Sequence, residues 1–127
     1  MNVNHHEAFR RGLHEFNTER FFEAHEVWEE VWLASAGSEK RFLQGIIQIA
    51  AAFHHYQRGN RPGACSLLEA GLRRLHDLPA DQGGIALDRL CVAAREWVTA
   101  LRAEQDPGGA RLPKIQMAAN LRQKELT

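Results

Sequence analysis

The chain has 127 residues, and its 16 lysines and arginines balance its 16 aspartates and glutamates, giving a net charge of zero. This length suits a single helical domain over residues 1–127, large enough to form a core without metal ions or disulfides. The balanced charge disfavours nucleic acid or an anionic membrane as a partner. No apolar run approaches the roughly 20 residues that span a bilayer, and no signal peptide is evident. We therefore expect a cytoplasmic protein, which also suits two widely spaced cysteines read as reduced thiols, Cys65 and Cys91.

Apolar residues recur at helical spacing through most of the chain, which predicts an all-α fold. The first predicted helix follows a cap at Asn4, and the second covers residues 19–33 with Thr18 as its cap. The third follows an N-cap at Ser38 and ends near Arg58, before a C-capping Gly59.

The remaining sequence predicts two further helices and a tail. The fourth helix starts at the Asn60-Arg61-Pro62 segment and stops before Pro79, since proline is tolerated in a first turn. The fifth covers about 84–104. Residues 105–127 form a partly irregular tail, which we expect to strap across the bundle and to fray at its basic end. The apolar residues predicted for the fifth helix and the strap are Ile85, Leu87, Leu90, Val92, Ala94, Trp97, Val98, Leu101, Leu112, Ile115 and Met117.

A weak internal repeat aligns residues 16–24 with residues 56–64, at an offset of forty. Trp28 then falls on Leu68 and Trp32 on Leu72. The fold is accordingly predicted as a single compact bundle of about five helices, built from helical hairpins and weakly like tetratricopeptide repeats. The alternative is that any two helical hairpins share this spacing.

The second helix combines an aromatic stripe with a polar flank. Trp28 and Trp32 lie on the apolar stripe and are predicted to anchor the core. His25 and Glu29 are one turn apart beside it. The third helix has no charged residue from Phe42 to Gln57. Antiparallel pairing of the two helices therefore predicts a polar seam, formed by His25, Glu26, Glu29, Gln44, Gln48, His54 and His55.

Two kinds of function fit this seam. The leading hypothesis is a module that binds a protein partner or forms a homo-oligomer, with no cofactor. The alternative is a divalent-metal protein or small hydrolase that uses His25 and Glu29, completed by Glu26, His54 or His55. A zincin helix needs a histidine where Glu29 stands, and no nucleophile motif accompanies the site, so enzymatic activity stays open.

The segments "FNTERFFEAHEVWEEVW", "RFLQGIIQIAAAFHHYQRGNRPGA" and "LLEAGLRRL" resemble the prokaryotic family of domains of unknown function numbered 309. The resemblance covers about residues 10–80 and rests on a His-Glu-x-Trp-Glu helix followed by Gln-Gly-x-x-Gln. It implies a small all-α cytoplasmic bundle and no established activity. The positions that match the family pattern are His25, Glu26, Trp28, Glu29, Trp32, Gln44, Gly45, Gln48, His54 and His55.

Overall fold

The computed structural model describes residues 2–107 and 111–119, and this part of the chain forms five α-helices and no β-strand. The helices are α1 (Val3–Asn17), α2 (Phe21–Leu33), α3 (Gly37–Gln57), α4 (Arg61–Leu75) and α5 (Leu87–Arg102), with a short 3-10 turn at Gln82–Gly84 before α5. The all-α prediction is therefore confirmed. None of the described helices is long and apolar enough to cross a bilayer.

Successive helices pack against one another as antiparallel hairpins, with α3 between α2 and α4. Phe21 at the start of α2 meets Phe53 near the end of α3, with their ring centroids 5.5 Å apart. At the opposite end of α3, Arg41 forms a 3.0 Å ion pair with Asp77, just beyond α4. The compact bundle of helical hairpins predicted from the sequence is thus confirmed.

Trp28 is the central side chain of the α1–α2 hairpin. It is fully buried, and its indole N–H donates to the carbonyl of Phe9 over 3.1 Å. A Cβ atom at Gly12 would overlap the indole, so this glycine permits the two helices to approach. Trp32 is only partly buried at the edge of the core, where Lys40 Nζ lies 4.5 Å from the centre of its ring.

Burial follows the internal repeat that aligns residues forty apart. Ala24 and Ala64 are both fully buried, as are Trp28 and Leu68. The next aligned pair, Trp32 and Leu72, is partly buried in each hairpin. These three pairs are equivalent in the two hairpins, whereas the buried Phe16 and Phe21 align with the half-buried Tyr56 and Arg61.

Three of the predicted helix caps were wrong. Asn2, rather than Asn4, caps α1, and its side chain accepts a hydrogen bond from the backbone N–H of His5 over 2.9 Å. Thr18 donates its hydroxyl back to the carbonyl of His14 over 2.9 Å, so the N-cap of α2 passes to Arg20. Ser38 lies inside the first turn of α3, whose N-cap is Ala36.

The turn between α3 and α4 agrees with its prediction. Gly59 adopts a left-handed φ of 81°, and the Asn60 side chain caps α4 by accepting from the N–H of Gly63 over 3.0 Å. Pro62 occupies the first turn of α4, where its missing N–H leaves no helical bond unmade.

The fifth helix begins later than predicted, because Gly83 and Gly84 adopt left-handed φ angles of 72° and 76° and end the preceding turn. Leu87 is the first residue of α5. Val92, expected in the core, is exposed, while the adjacent Cys91 is buried. Both cysteines are free thiols.

Residues 111–119, called the strap below, lie across the bundle. Ile115 is buried and Leu112 packs against the core, as predicted, whereas Met117 is 37% exposed. Met117 instead pairs with Ile85 in an isolated antiparallel bridge. The basic end of the tail, predicted to fray, lies outside the described residues.

Candidate functional site

The most unusual surface of α2 is formed by an exposed phenylalanine between two histidines. Phe22, the second residue of α2, is 46% exposed. Its ring stacks on His25 with centroids 6.1 Å apart and contacts His54 of α3 at 5.3 Å. The Phe22 ring is therefore flanked by an imidazole from each helix while about half of it stays exposed.

Acidic side chains continue this surface along α2. The helix contains four glutamates and no lysine or arginine. Glu26 and Glu29 are exposed and share the face of Phe22, since residues 22, 26, 29 and 33 lie within about 40° of one direction at 100° per residue. Leu33 ends this face and is 69% exposed. We call the surface formed by Phe22, His25, Glu26, Glu29, Leu33 and His54 the Phe22 face.

His25 and Glu29, the predicted metal pair, are neighbours on this face. His25 Nε2 lies 3.9 Å from Glu29 Oε2, which permits an ion pair when the imidazole is protonated. The other ring nitrogen, Nδ1, is buried and has no hydrogen-bond partner among the described residues. Within residues 2–107 and 111–119, no group of three or more histidine, cysteine, aspartate or glutamate side chains is arranged to hold a metal ion.

The predicted seam residues divide between two helix contacts. His25 and His54 approach one another through Phe22 at the contact of α2 with α3. Gln48 faces α4 instead, where its side-chain oxygen accepts from Arg74 Nε over 3.0 Å.

The other predicted seam residues lie apart from that contact. His55 Nδ1 lies 2.9 Å from the side-chain nitrogen of Asn60, at the turn into α4. Gln44 is half-buried on α3, and Glu26 is exposed. The seven predicted residues therefore do not meet at one place.

The surroundings of His54 oppose its protonation. Partial burial is the main cause that lowers the pKa of His54 below its usual value, and the nearby positive charges of Arg58 and His55 lower it further. Glu23 acts in the opposite direction and His25 again lowers the pKa, both with smaller effects. The neutral form of His54 is therefore favoured beside the Phe22 ring.

Two polar clusters that the sequence analysis missed fasten α5 to its neighbours. Asp106 accepts hydrogen bonds from Tyr56 over 2.7 Å and from Arg61 over 2.8 Å, and the bond to Asp106 is the main cause that raises the pKa of Tyr56. One turn along α4 from Cys65, Glu69 accepts from Arg102 over 2.7 Å. Nothing in the local sequence pattern signals either cluster, because the partners are more than thirty residues apart.

Comparison with known proteins finds relatives of this chain that carry no assigned activity. The sequence profile of a family described as "Domain of unknown function (DUF309)" matches residues 9–67. An uncharacterized protein, YpuF, from Bacillus subtilis (strain 168) is 39% identical over 80 residues, covering 56% of this chain and 46% of that protein. An uncharacterized protein from Aquifex aeolicus (strain VF5) is 29% identical over 85 residues, covering 66% of this chain and 26% of that protein.

A solved structure shares the fold. The crystal structure of a conserved hypothetical protein from Thermus thermophilus superposes with a TM-score of 0.64 at 34% identity, covering 72% of this chain and 95% of that one. By contrast, the aligned region makes up about a quarter of one curated relative and less than half of the other. The same helical unit therefore accounts for nearly all of one bacterial protein and for a part of longer ones.

Proposed function

This chain belongs to the family described as a domain of unknown function (DUF309), and we propose that it is a protein-interaction module that binds a basic partner segment through the Phe22 face. The observation that carries the proposal is the exposed Phe22 ring of the acidic helix α2, which is flanked by His25 of α2 and His54 of α3. Exposed aromatic side chains are typical anchors of protein interfaces, since they bury much apolar area at little entropic cost.

The chemistry of the face indicates what its partner carries. Phe22 and Leu33 are eleven residues apart on α2, which places their Cα atoms about 16 Å apart along the helix. Between them lie the carboxylates of Glu26 and Glu29. A complementary segment would present two apolar side chains at that separation, with lysine or arginine between them.

Charge also distinguishes a foreign partner from a second copy of the chain. In a two-fold dimer through this face, the glutamates of one α2 would approach those of the other, because the same patch meets itself. Like charges brought together without counterions oppose association. A basic partner removes this repulsion, so the proposal commits to a different protein rather than a homo-oligomer.

The length of the relatives supports a module. In YpuF and in the Aquifex aeolicus protein, the matched unit is joined to further sequence that makes up more than half of the chain. A helical unit that accounts for nearly all of one chain and for part of longer ones is a compact domain with its own core, as a module is.

A matched pair of substitutions tests the proposal. Phe22→Ser removes the aromatic anchor, and Val92→Ser makes a comparable change at another exposed apolar residue on α5. We expect proteins retained from lysate by the wild-type chain and by Val92→Ser to be lost by Phe22→Ser. A protein identified in this way should then bind purified chain with an affinity that falls as salt increases, because both charged surfaces become screened.

Two results would contradict this proposal. If both variants retain every protein equally, the Phe22 face does not take part in binding. A concentration-dependent dimer in sedimentation, abolished by Phe22→Ser, would assign the face to self-association instead.

The metal-dependent alternative stays a prediction that concerns the same residues. His25 and Glu29 are close enough to share an ion, and the unpartnered His25 Nδ1 could rotate towards one. Zinc, manganese or iron bound at stoichiometric level by the wild-type chain, and lost by His25→Gln, would favour this function over a purely protein-binding one.

A further inference from the structure

The middle of the strap is fastened by the side chain of Asn17, the last residue of α1. Its amide nitrogen donates to the carbonyl of Ile115 over 2.9 Å, while its amide oxygen accepts from the N–H of the same residue over 2.7 Å. The two bonds reproduce those that a neighbouring β-strand would make. Asn17 therefore recognises peptide backbone, whatever side chain that residue carries.

A second backbone contact follows immediately along the strap. Ala86 donates its N–H to the carbonyl of Gln116 over 2.7 Å, and Ala118 donates its N–H to the carbonyl of Gly84 over 3.1 Å. This pairing forms the isolated antiparallel bridge of Ile85 with Met117. We call the surface formed by Asn17, Gly84, Ile85 and Ala86 the strap groove.

Only two side chains of the hydrogen-bonded part of the strap are buried. Ile115 is 6% exposed and belongs to the core cluster, and Ala118 is 4% exposed. Gln116 and Met117 between them face solvent. Backbone hydrogen bonds combined with one or two side-chain pockets are the pattern by which proteins bind extended peptides at an exposed edge.

The strap reaches this groove from a distance in sequence. Asn17 and Ile115 are 98 residues apart, and residues 103–110 separate the end of α5 from the strap. Beside Ala118 and Ala119 lies an open cavity of about 450 Å³, which is also lined by Ala80, Asp81, Ala86, Asp88 and Arg89. The end of the strap therefore lies against an open cavity.

From these contacts we propose that the strap groove is a peptide-binding site, occupied in this chain by its own strap, for an extended partner segment of another protein. The strap defines the chemistry of that segment, which is a β-branched aliphatic residue in the place of Ile115 and a small residue three positions later. The site is separate from the Phe22 face and does not depend on its function. In the intact chain, the strap competes with such a segment at the high effective concentration of an intramolecular ligand.

A strap-releasing substitution in the full chain tests this. Ile115→Asp places a carboxylate in the buried pocket, which should release the strap and leave the groove unaltered. The probe is a fluorescein-labelled peptide with the sequence of residues 111–119, and its binding is followed by anisotropy. We expect Ile115→Asp to bind the probe at least about 10-fold more tightly than the wild-type chain, in which few grooves are open.

Two controls distinguish binding in the strap groove from nonspecific binding of the probe. Met117→Asp introduces the same charge at an exposed strap position and should bind the probe as weakly as the wild-type chain does. Adding Asn17→Ala to Ile115→Asp should weaken binding at least about 10-fold, because the backbone clamp is lost. A folded Ile115→Asp chain that does not bind at about 1 mM probe, or that binds a peptide with Asp at the Ile115 position equally well, would overturn the proposal.

If Ile115→Asp does not fold, hydrogen exchange of the wild-type chain tests whether the strap leaves its groove while the bundle stays folded. The amides of Ile115 and Ala118 should exchange through a local opening of the strap. Their exchange should be far faster than that of the Ile49 amide in α3. Equal protection of all three amides would show that the strap leaves only on global unfolding, and would overturn the proposal.

Discussion

His54 illustrates how a single residue couples the Phe22 face to pH. The groups around it come from two helices and comprise Phe22, Glu23, His25, His55 and Arg58. Burial and the nearby positive charges lower its pKa in the folded chain, whereas the unfolded chain keeps the ordinary value near 6.5. The unfolded state therefore binds a proton at a higher pH than the folded state does.

We predict that this histidine makes the protein less stable in mild acid. Its contribution is present above pH 6.5 and is lost as pH falls from 6.5 towards the lower pKa of the folded state. His54→Gln should lose less free energy of unfolding than the wild-type chain between pH 7.5 and 5.5, measured by urea denaturation. His6→Gln, a change at an exposed histidine of α1, serves as the control and should follow the wild-type profile. Parallel curves for wild type and His54→Gln would contradict the prediction.

At the residue scale, the apolar pattern was sufficient to predict that Trp28 is buried. It did not predict which groups the polar side chains would bond to. Hydrophobic burial depends mainly on which face of a helix a residue occupies, and that face can be read from periodicity. A hydrogen bond depends on a partner that is placed by the tertiary fold. Nothing in the sequence accordingly indicated that the amide of Asn17 would clamp Ile115.

At the scale of single elements, Asn60 joins two helices. Its side-chain oxygen accepts from the N–H of Gly63 and caps α4, while its side-chain nitrogen lies 2.9 Å from Nδ1 of His55 at the end of α3. An amide nitrogen can only donate, so Nδ1 is the acceptor and the proton of neutral His55 resides on Nε2. The side chain of Asn60 thus caps the first turn of α4 and orients the imidazole of His55 on α3.

We predict that Asn60→Ala lowers the free energy of unfolding by about 1–2 kcal/mol, because α4 loses its cap and His55 loses its donor. Asn60→Asp keeps a capping oxygen and loses only the donor, so it should be less destabilising. Urea denaturation of the three proteins at pH 7.5 measures the difference. Equal losses for the two variants would show that the cap contributes little.

The same turn explains why some helix ends were predictable and others were not. Asn60, Pro62 and the left-handed Gly59 each favour one conformation, and together they favour the same one. Thr18 has a hydroxyl that caps a following helix or bonds to the preceding turn, and it makes the second choice here. Local sequence does not distinguish those two outcomes.

At the scale of the whole molecule, the position of α3 divided the predicted seam. The predicted seam paired α3 with α2 alone, whereas residues 42–57 of α3 carry no charge because this stretch lies between α2 and α4. Gln48 therefore meets Arg74 of α4 rather than His25. Periodicity distinguishes the faces of a helix, but it does not state which neighbour covers each face.

The two proposed binding surfaces belong to different parts of the chain. All residues of the Phe22 face lie within the segment that matches the family, residues 9–67, whereas the strap lies outside it. The face is therefore built by the α2–α3 pair that the family profile includes. Control by the strap would be a property that the C-terminal segment adds to that unit.

The last prediction concerns the strap as a part of the whole fold. A chain ending at residue 107 loses the burial of Ile115 and Ala118 and the backbone bonds to Asn17 and to residues 84–86. The stabilisation from the buried isoleucine and these hydrogen bonds is largely offset by the entropy of ordering the segment, so we expect a net loss of only about 1–3 kcal/mol in the free energy of unfolding.

The helices should persist in the shortened chain, because α1 to α5 end before the deletion. Its circular dichroism should keep the helical shape, while an apolar dye should bind the uncovered groove around Ile85. Met117→Ala in the full chain is the matched control and should cost less than about 1 kcal/mol, since that side chain is partly exposed. A shortened chain as stable as the full one would show that the strap contributes no net stability, whereas loss of the helical spectrum would show that the bundle requires the strap to fold.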